Sequence, residues 1–229
     1  MKKILLIGDS VRKGYDTYVR ACMENIAKVY FPEENCTFTT NILRNLHTWA
    51  DNLGLYEADA VHFNAGLWDT VRIYGDEPLV KEDTYADNLK RIEKRIRFLF
   101  PTAKIIFATS TPIIESGYFT DFESRTNQDV EDYNQIAKDV FAGTDVIIND
   151  LYAVMKGVPK SYYSDQTHFY TADATKRIGN AVNDMLCHAL GLDKSLLIQP
   201  DMAPFHYPDR FKGDKDYYEK KGHIYVIKR

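Results

Sequence analysis

Residues 4–10 read ILLIGDS, and this stretch decides the fold. Four aliphatic residues at positions 4–7 are followed directly by Gly8, Asp9 and Ser10. A short apolar run that stops at a glycine is typical of a buried strand entering a tight turn, and a helical pattern begins a few residues later. The sequence therefore predicts a strand, a turn and a helix, with a serine at the corner.

The rest of the chain repeats this alternation of short aliphatic runs and longer amphipathic stretches. The predicted strands are residues 4–7, 60–63, 104–108 and 146–148. The predicted helices, whose apolar residues lie three and four apart, are residues 15–29, 41–53, 84–100, 129–141 and 171–190. Strands separated by helices favour right-handed βαβ units and a parallel sheet covered on both faces. The predicted fold class is therefore α/β.

The length and composition predict one domain and an arm. A chain of 229 residues with 45% hydrophobic content can form one sizeable core. We expect this domain over residues 1–192 and a C-terminal extended arm over residues 193–229, where prolines and aromatic residues are frequent. Because so many aromatic side chains are unusual in a solvated tail, the arm is expected to pack on the domain or on a second subunit of a homo-oligomer.

The charge and the cysteines exclude several classes of protein. A net charge of -4 provides no basic surface for nucleic acid. Cys22, Cys36 and Cys187 are too few and too widely spaced for a disulfide framework or a zinc site, and we expect buried thiols. No apolar run approaches the ~18 residues of a membrane helix. The apolar run at the N-terminus is shorter than that of a signal peptide, so a cytoplasmic location is expected.

The serine at the first corner is a candidate nucleophile. In an open α/β sheet, ligands bind at the carboxyl ends of the strands, and Ser10 lies at such an end. The N-terminus of the following helix favours negative charge beside the hydroxyl. A serine nucleophile also needs a base within hydrogen-bond reach and an acid that orients the base.

One histidine has the neighbouring acid that such a base requires. Asp165 lies three residues before His168, and none of the other five histidines has a comparable setting. Residues three apart can lie on the same side of a turn, so Asp165 could hold one ring nitrogen while the other faces Ser10. Each motif alone has a structural alternative: Asp9 is expected to accept a turn hydrogen bond, and His62, inside a strand, is expected to be a core residue.

Taken together, the motifs resemble those of a known family, the SGNH or GDSL-type esterases and acylhydrolases. The similarity rests on Gly-Asp-Ser at 8–10, Gly66 to Asp69 after a middle strand, Thr-Pro at 111–112 and the Asp165-x-x-His168 pair. It covers residues 1–192. The resemblance implies a three-layer α/β/α sandwich with a flavodoxin-like parallel sheet.

The resemblance also implies the roles of the site residues. Ser10 would be the nucleophile, His168 the general base and Asp165 the partner of that base. Ser10 would attack an ester carbonyl, and water would later release the acyl group. This mechanism needs no metal and no cofactor.

The chain departs from the family pattern in the region that would bind the oxyanion. The family's second motif supplies a glycine, but residues 35–46 contain none, and a backbone N–H near Thr39 or Thr40 could serve instead. In the third motif, Gly-x-Asn-Asp, Trp68 replaces the asparagine.

We therefore expect a different set of oxyanion donors in this chain. They are the N–H groups of Ser10 and Gly66 and the side-chain amide of Asn64. The alternative for Asn64 has equal weight: an asparagine at a strand end that satisfies the local backbone.

The resemblance favours an O-acetyl ester of a carbohydrate as substrate, with Trp68 and Tyr163 as flat substrate-binding faces. A lipid, a thioester or a small aryl ester stays open. Two other classes compete with an esterase. One is a catalytically silent carbohydrate-binding module that has lost its oxyanion hole. The other is a phosphate-binding protein, which the absence of a glycine-rich cradle in GDSVRKG disfavours.

Overall fold

The computed structural model describes residues 1–115 and 123–205. The strands are β1 (Lys2–Ile7), β2 (Ala27–Tyr30), β3 (Ala60–Asn64), β4 (Arg72–Ile73), β5 (Lys104–Ala108), β6 (Glu123–Ser124) and β7 (Ile147–Asn149). The helices are α1 (Ser10–Met23), α2 (Thr39–Asn52), α3 (Glu82–Leu99), α4 (Asn127–Phe141), α5 (Leu151–Met155) and α6 (Ala172–Leu190).

Five parallel strands form the central sheet, in the order β2-β1-β3-β5-β7. β4 and β6 form a separate antiparallel pair beside it. Successive side chains of a strand point to opposite faces, so Leu5 and Ile7 of β1 join one core cluster and Ile4 and Leu6 join the other. Helices α2, α3 and α4 cover the first face, and α1, α5 and α6 cover the second. The predicted α/β sandwich is confirmed.

The predicted helix over residues 15–29 is wrong at both ends. Helix α1 begins five residues earlier, at Ser10, because the Asp9 side chain caps it by accepting a hydrogen bond from the Val11 N–H (2.9 Å). It ends at Met23, and β2 follows after a three-residue turn. In β2 the buried side chains alternate with more exposed ones. This strand has only four residues, and no glycine or proline separates it from the helix, so the sequence pattern does not reveal it.

The first part of the predicted arm packs on α1. The Ile198 N–H donates to the Cys22 carbonyl (2.8 Å), and the ring of Phe205 lies edge-on to that of Tyr18, with centroids 5.4 Å apart. Residues 206–229, with most of the aromatic side chains that motivated the prediction, lie outside the described residues. The division at residue 192 and the packing on a second subunit stay predictions.

The fold meets the expectation that the cysteines are buried thiols. All three cysteines are buried and unpaired, and burial raises the pKa of each thiol, that of Cys36 to about 11. In the described part of the chain, no helix has both the length and the apolar character that a membrane crossing requires.

Candidate active site

Ser10 lies at the carboxyl edge of the central sheet, as the first residue of α1. Only Gly8 and Asp9 separate it from the end of β1. Asp9 caps the helix, which confirms its expected role as a turn acceptor. The hydroxyl of Ser10 therefore lies at a helix N-terminus, where the free N–H groups and the helix dipole favour negative charge.

The structure brings Ser10, His168 and Asp165 together. The Nε2 atom of His168 lies 2.8 Å from Ser10 Oγ, and its Nδ1 atom lies 2.6 Å from Asp165 Oδ2. A carboxylate only accepts hydrogen bonds, so it holds the ring proton on Nδ1. Nε2 is then free to accept the hydrogen bond that the Ser10 hydroxyl donates. This arrangement can pass a proton from the serine to the histidine.

Asp165 also builds the turn that carries the histidine. Its Oδ1 atom accepts hydrogen bonds from the backbone N–H groups of Thr167 (2.7 Å) and His168 (2.8 Å). Burial alone would raise the pKa of Asp165, but the hydrogen bonds and the charge of His168 outweigh it and lower that pKa. The carboxylate is therefore ionised across the neutral range, as an orienting acid must be.

Tyr170 is a neighbour of this group that the sequence reasoning did not single out for a role. Its buried ring stacks on the imidazole of His168, with centroids 4.8 Å apart and planes 17° apart. Its hydroxyl donates to the carbonyl of Ser10 (2.8 Å). The sequence signal for this contact is Gly14 inside α1, because a Cβ at that position would lie 2.9 Å from the Tyr170 ring.

Arg12 is a second functional neighbour that the sequence reasoning missed. Its fully buried guanidinium pairs with Asp16 (2.5 Å) and donates to the carbonyls of Pro32 (2.9 Å) and Glu34 (2.6 Å). A longer contact, at 3.4 Å, reaches the Gly8 carbonyl. Arg12 thus fixes the loop that follows β2 against the corner that carries Ser10.

The same loop leads to the N-terminus of α2, which the structure ties to the loop after β3. The N–H and the hydroxyl of Thr39 both donate to Asp69 Oδ1, at 3.0 and 2.6 Å. Burial raises the pKa of Asp69 to about 6, although these hydrogen bonds oppose the rise. The N–H of Thr40, next in the helix, has no hydrogen-bond partner among the described residues.

Gly66 and Asn64 flank this region, and the structure fixes both closely. Gly66 has a φ of 143°, and a Cβ there would lie 2.4 Å from the hydroxyl of Ser110, so only glycine fits. The Asn64 Oδ1 atom lies 1.9 Å from the position that a Cβ of Gly8 would occupy. Burial raises the pKa of Asp9, and a hydrogen bond from Asn64 opposes this. The role of the Asn64 amide as an oxyanion donor stays a prediction.

The two proposed substrate-binding rings are half-buried near the strand ends. The guanidinium of Arg125 lies 5.9 Å from the centroid of the Trp68 ring, and its Nε donates to the carbonyl of Leu67 (2.6 Å). The Tyr163 ring packs on Phe169, with centroids 4.3 Å apart. Both rings are therefore held by neighbours, which limits the entropy lost when a ligand stacks on them.

The remaining polar groups in the core are structural. His62 is fully buried, contacts the Asn149 amide at 3.2 Å, and has a pKa that burial lowers to about 4. This neutral ring is the core histidine that the sequence predicted. Among residues 1–115 and 123–205, no group of three or more metal-ligating side chains converges.

Solved structures share this fold. The chain is similar to a lipase/acylhydrolase from Enterococcus faecalis, with a TM-score of 0.64 and 19% identity over 88% of this chain and 100% of that chain. It is similar to a GDSL-like lipase from Bacteroides thetaiotaomicron, with a TM-score of 0.63 and 15% identity over 83% and 88%. It is also similar to an acetyl xylan esterase, with a TM-score of 0.63 and 12% identity over 80% and 99%.

No protein-family model and no curated protein sequence matches the chain. The solved structures share the expected α/β sandwich, which is the fold of proteins named as a lipase/acylhydrolase and a GDSL-like lipase. At these identities the similarity concerns the fold, and the chemistry is argued from the residues of the site.

Proposed function

We propose that the protein is a serine esterase that hydrolyses a small acyl ester through an acyl-enzyme intermediate. The observation that carries this proposal is the unbroken series of hydrogen bonds from the Ser10 hydroxyl through His168 to Asp165. The solved structures of the same fold that are named as a lipase and an acylhydrolase support it.

In the first step, Ser10 Oγ forms a bond to the ester carbonyl carbon while its proton passes to His168 Nε2. The carbonyl oxygen takes up the negative charge of the tetrahedral intermediate. The bond to the leaving oxygen then breaks, and His168 returns the proton to the departing alcohol. Asp165 remains ionised and stabilises the positively charged imidazole between these transfers.

In the second step, water attacks the acyl-enzyme. His168 accepts a proton from the water, the oxygen of the water bonds to the acyl carbon, and a second tetrahedral intermediate forms. Its collapse releases the carboxylic acid and returns the proton to Ser10. All proton transfers of the cycle pass through the side chain of His168.

The oxyanion of both intermediates needs preorganised donors, which usually make the largest single contribution to such catalysis. We assign this role to the N–H groups of Ser10 and Gly66 and the amide of Asn64. The N–H of Thr40 is a further candidate, because it lies unpartnered at the N-terminus of α2 beside the Thr39–Asp69 contact. Two helix N-termini would then face the developing negative charge.

An acetyl group on a carbohydrate is the substrate class that we favour. Trp68 and Tyr163 present aromatic rings of the kind that stack on sugars, and Arg125 and Phe169 hold them in place. A solved structure of the same fold is named as an acetyl xylan esterase. Lipid and thioester substrates are the alternatives within this reaction class.

One observation favours a second candidate, a carbohydrate-binding module without catalysis. Trp68 replaces the family's oxyanion asparagine, and the Asn64 side chain packs closely against Gly8, with its Oδ1 atom 1.9 Å from where a Cβ of Gly8 would lie. A site that lacks the oxyanion donors would bind a sugar ester and leave it intact.

A fluorophosphonate probe separates the two candidates. An esterase is expected to react covalently at Ser10, so the wild type and the control Ser161→Ala, an exposed serine outside the site, should be labelled. Ser10→Ala should not be labelled and should hydrolyse no ester. Acetylated sugars, aryl acetates and longer acyl esters or thioesters, tested as a panel, then rank the substrates. A wild type that binds sugar but is neither labelled nor active would establish the binding module.

A further inference from the structure

The imidazole of His168 has a degree of freedom that its two catalytic partners do not remove. Asp165 and Ser10 contact Nδ1 and Nε2, which both lie in the plane of the ring. Hydrogen bonds tolerate a range of angles, so the ring can still rock by small rotations about its Cβ–Cγ bond. Such rocking changes the direction of the Nε2 lone pair, and proton transfer is sensitive to that direction.

We infer that Tyr170 is the positioning residue that fixes this plane. Its ring lies against the face of the imidazole, with centroids 4.8 Å apart and planes only 17° apart. A face contact opposes the rocking that the two edge contacts allow. This inference rests on the proposed function, because a plane for His168 matters only if the ring carries a proton to and from the substrate.

The hydroxyl of Tyr170 joins the base to the nucleophile. It donates to the Ser10 carbonyl at 2.8 Å, so one side chain touches the base with its ring and the nucleophile's backbone with its oxygen. Within an α-helix the Ser10 carbonyl already accepts from the N–H four residues later. The hydrogen bond from Tyr170 is therefore additional to those of the helix. It holds the turn that carries His168 in place against the start of α1.

The ring has an electrostatic effect as well. After His168 accepts the serine proton it is a cation, and the face of an aromatic ring attracts a cation. Tyr170 is buried, so little water screens this attraction. The effect exists only while His168 is charged, and it therefore acts on the turnover number rather than on substrate binding.

Gly14 makes room for this arrangement. A Cβ at Gly14 would lie 2.9 Å from Tyr170 Cδ1, closer than side chains approach each other. Alanine at this position would push the ring away from its place while leaving every atom of Tyr170 present. Alanine is also the better helix former, so a loss of activity in this variant would not follow from a weaker helix.

The test separates the ring from the hydroxyl. Tyr170→Phe keeps the ring, and we expect kcat within about fivefold of the wild type, because the face contact persists. Tyr170→Leu removes the ring, and we expect kcat to fall roughly ten- to thirtyfold with KM unchanged. Gly14→Ala should lower kcat in the same way.

The matched controls are Tyr133→Phe and Tyr133→Leu. Tyr133 is equally buried in α4, packs on Tyr85, and its hydroxyl donates to the Val80 carbonyl (2.5 Å). These variants should lower the melting temperature about as much as their Tyr170 counterparts and leave kcat unchanged. If Tyr170→Phe keeps a kcat that Tyr170→Leu loses, while the Tyr133 variants with similar melting temperatures keep theirs, Tyr170 acts by positioning His168 rather than by packing.

Two results would overturn the inference, and they differ from each other. If the wild type hydrolyses esters and labels at Ser10, but Tyr170→Leu and Gly14→Ala both keep wild-type kcat, Tyr170 only packs. If the wild type neither labels nor hydrolyses any ester, the proposed function fails and the inference fails with it. Should Tyr170→Leu not fold, Gly14→Ala decides the question alone.

Discussion

The proposed nucleophile, Ser10, and its proposed base, His168, are held in opposite ways. The corner of Ser10 is fixed by buried groups: Arg12, Asp9 and Asp16 are fully or almost fully inaccessible to solvent. The turn of His168 is fixed at the surface, where the Asp165 side chain is 44% exposed and that of His168 is 23% exposed. Buried ionic contacts are costly to break, whereas exposed ones contribute little to folding. Changes at the corner should therefore cost stability, and changes at the turn should cost activity.

The largest expected effect is on the exposed side. Asp165→Asn keeps an oxygen for the two backbone N–H groups of the turn but no longer holds the proton of His168 on Nδ1. We expect turnover to fall by about 10⁴ and the free energy of unfolding to change little. Steady-state kinetics and chemical denaturation measure the two quantities. Near-normal hydrolysis by this variant would remove Asp165 from the triad.

On the buried side, Arg12→Met should act mainly on stability. It removes the cation that pairs with the buried carboxylate of Asp16 and frees the carbonyls of Pro32 and Glu34. We expect a loss of about 3–5 kcal/mol in the free energy of unfolding, measured by urea denaturation.

The control for this change is Arg91→Met in the exposed pair of Arg91 and Asp87. It should change the free energy of unfolding by less than about 0.5 kcal/mol. Adding Asp16→Leu to Arg12→Met should recover part of the lost free energy of unfolding, because it also removes the buried carboxylate. Equal effects of the two arginine substitutions would erase the contrast between the buried and the exposed side.

Asn64 tests whether a buried group of the corner also takes part in the chemistry. If its amide binds the oxyanion, Asn64→Ala lowers turnover by roughly 10² to 10³, about 2.7–4 kcal/mol of barrier, with little change in KM. Trp68→Phe is the comparison, and it should act mainly on KM, as expected of a ring that stacks on the substrate. Full turnover by Asn64→Ala would remove this amide from the oxyanion donors.

The smallest expected effect is the change of folding stability as the pH is lowered. Burial lowers the pKa of His62 from 6.5 to about 4, so the folded protein binds fewer protons than the unfolded chain and loses stability as pH falls through this window. Burial raises the pKa of Asp69 from 3.8 to about 6, so this carboxyl adds stability as pH falls through its window. Each contribution is on the order of 3 kcal/mol, with opposite sign.

Urea denaturation between pH 6.5 and pH 4 measures both contributions. His62→Gln should gain stability relative to the wild type as the solution is acidified, and Asp69→Asn should lose it. Parallel curves for the two variants would mean that neither group titrates differently in the folded and unfolded states.

The sequence predicted what depends on local pattern. The aliphatic runs of β1, β3 and β5 and the three- and four-residue spacing in α2, α3, α4 and α6 appear close to where they were expected. The meeting of Ser10 and His168 could be anticipated for the same reason, since Ser10 follows a predicted strand and His168 precedes a predicted helix. Strand ends of a parallel sheet meet at one edge, so local signals sufficed there.

The rest depends on contacts between distant segments. A charged residue two positions into a helix, such as Arg12, is normally solvated, and its burial depends on carbonyls of a loop twenty residues later. Tyr170 has no role until α1 is packed beside it. Strands β4 and β6 have only two residues each, too few to show an alternating pattern in the sequence.

The three buried cysteines make the protein convenient for spectroscopy. Thiol reagents attack the thiolate, and burial both shields these sulfurs and raises their pKa. Maleimides at neutral pH should leave the natural cysteines unmodified in the folded state. A single cysteine introduced at the exposed Ser161, a few residues before the turn of His168, would therefore carry a fluorophore or spin label without any removal of native thiols.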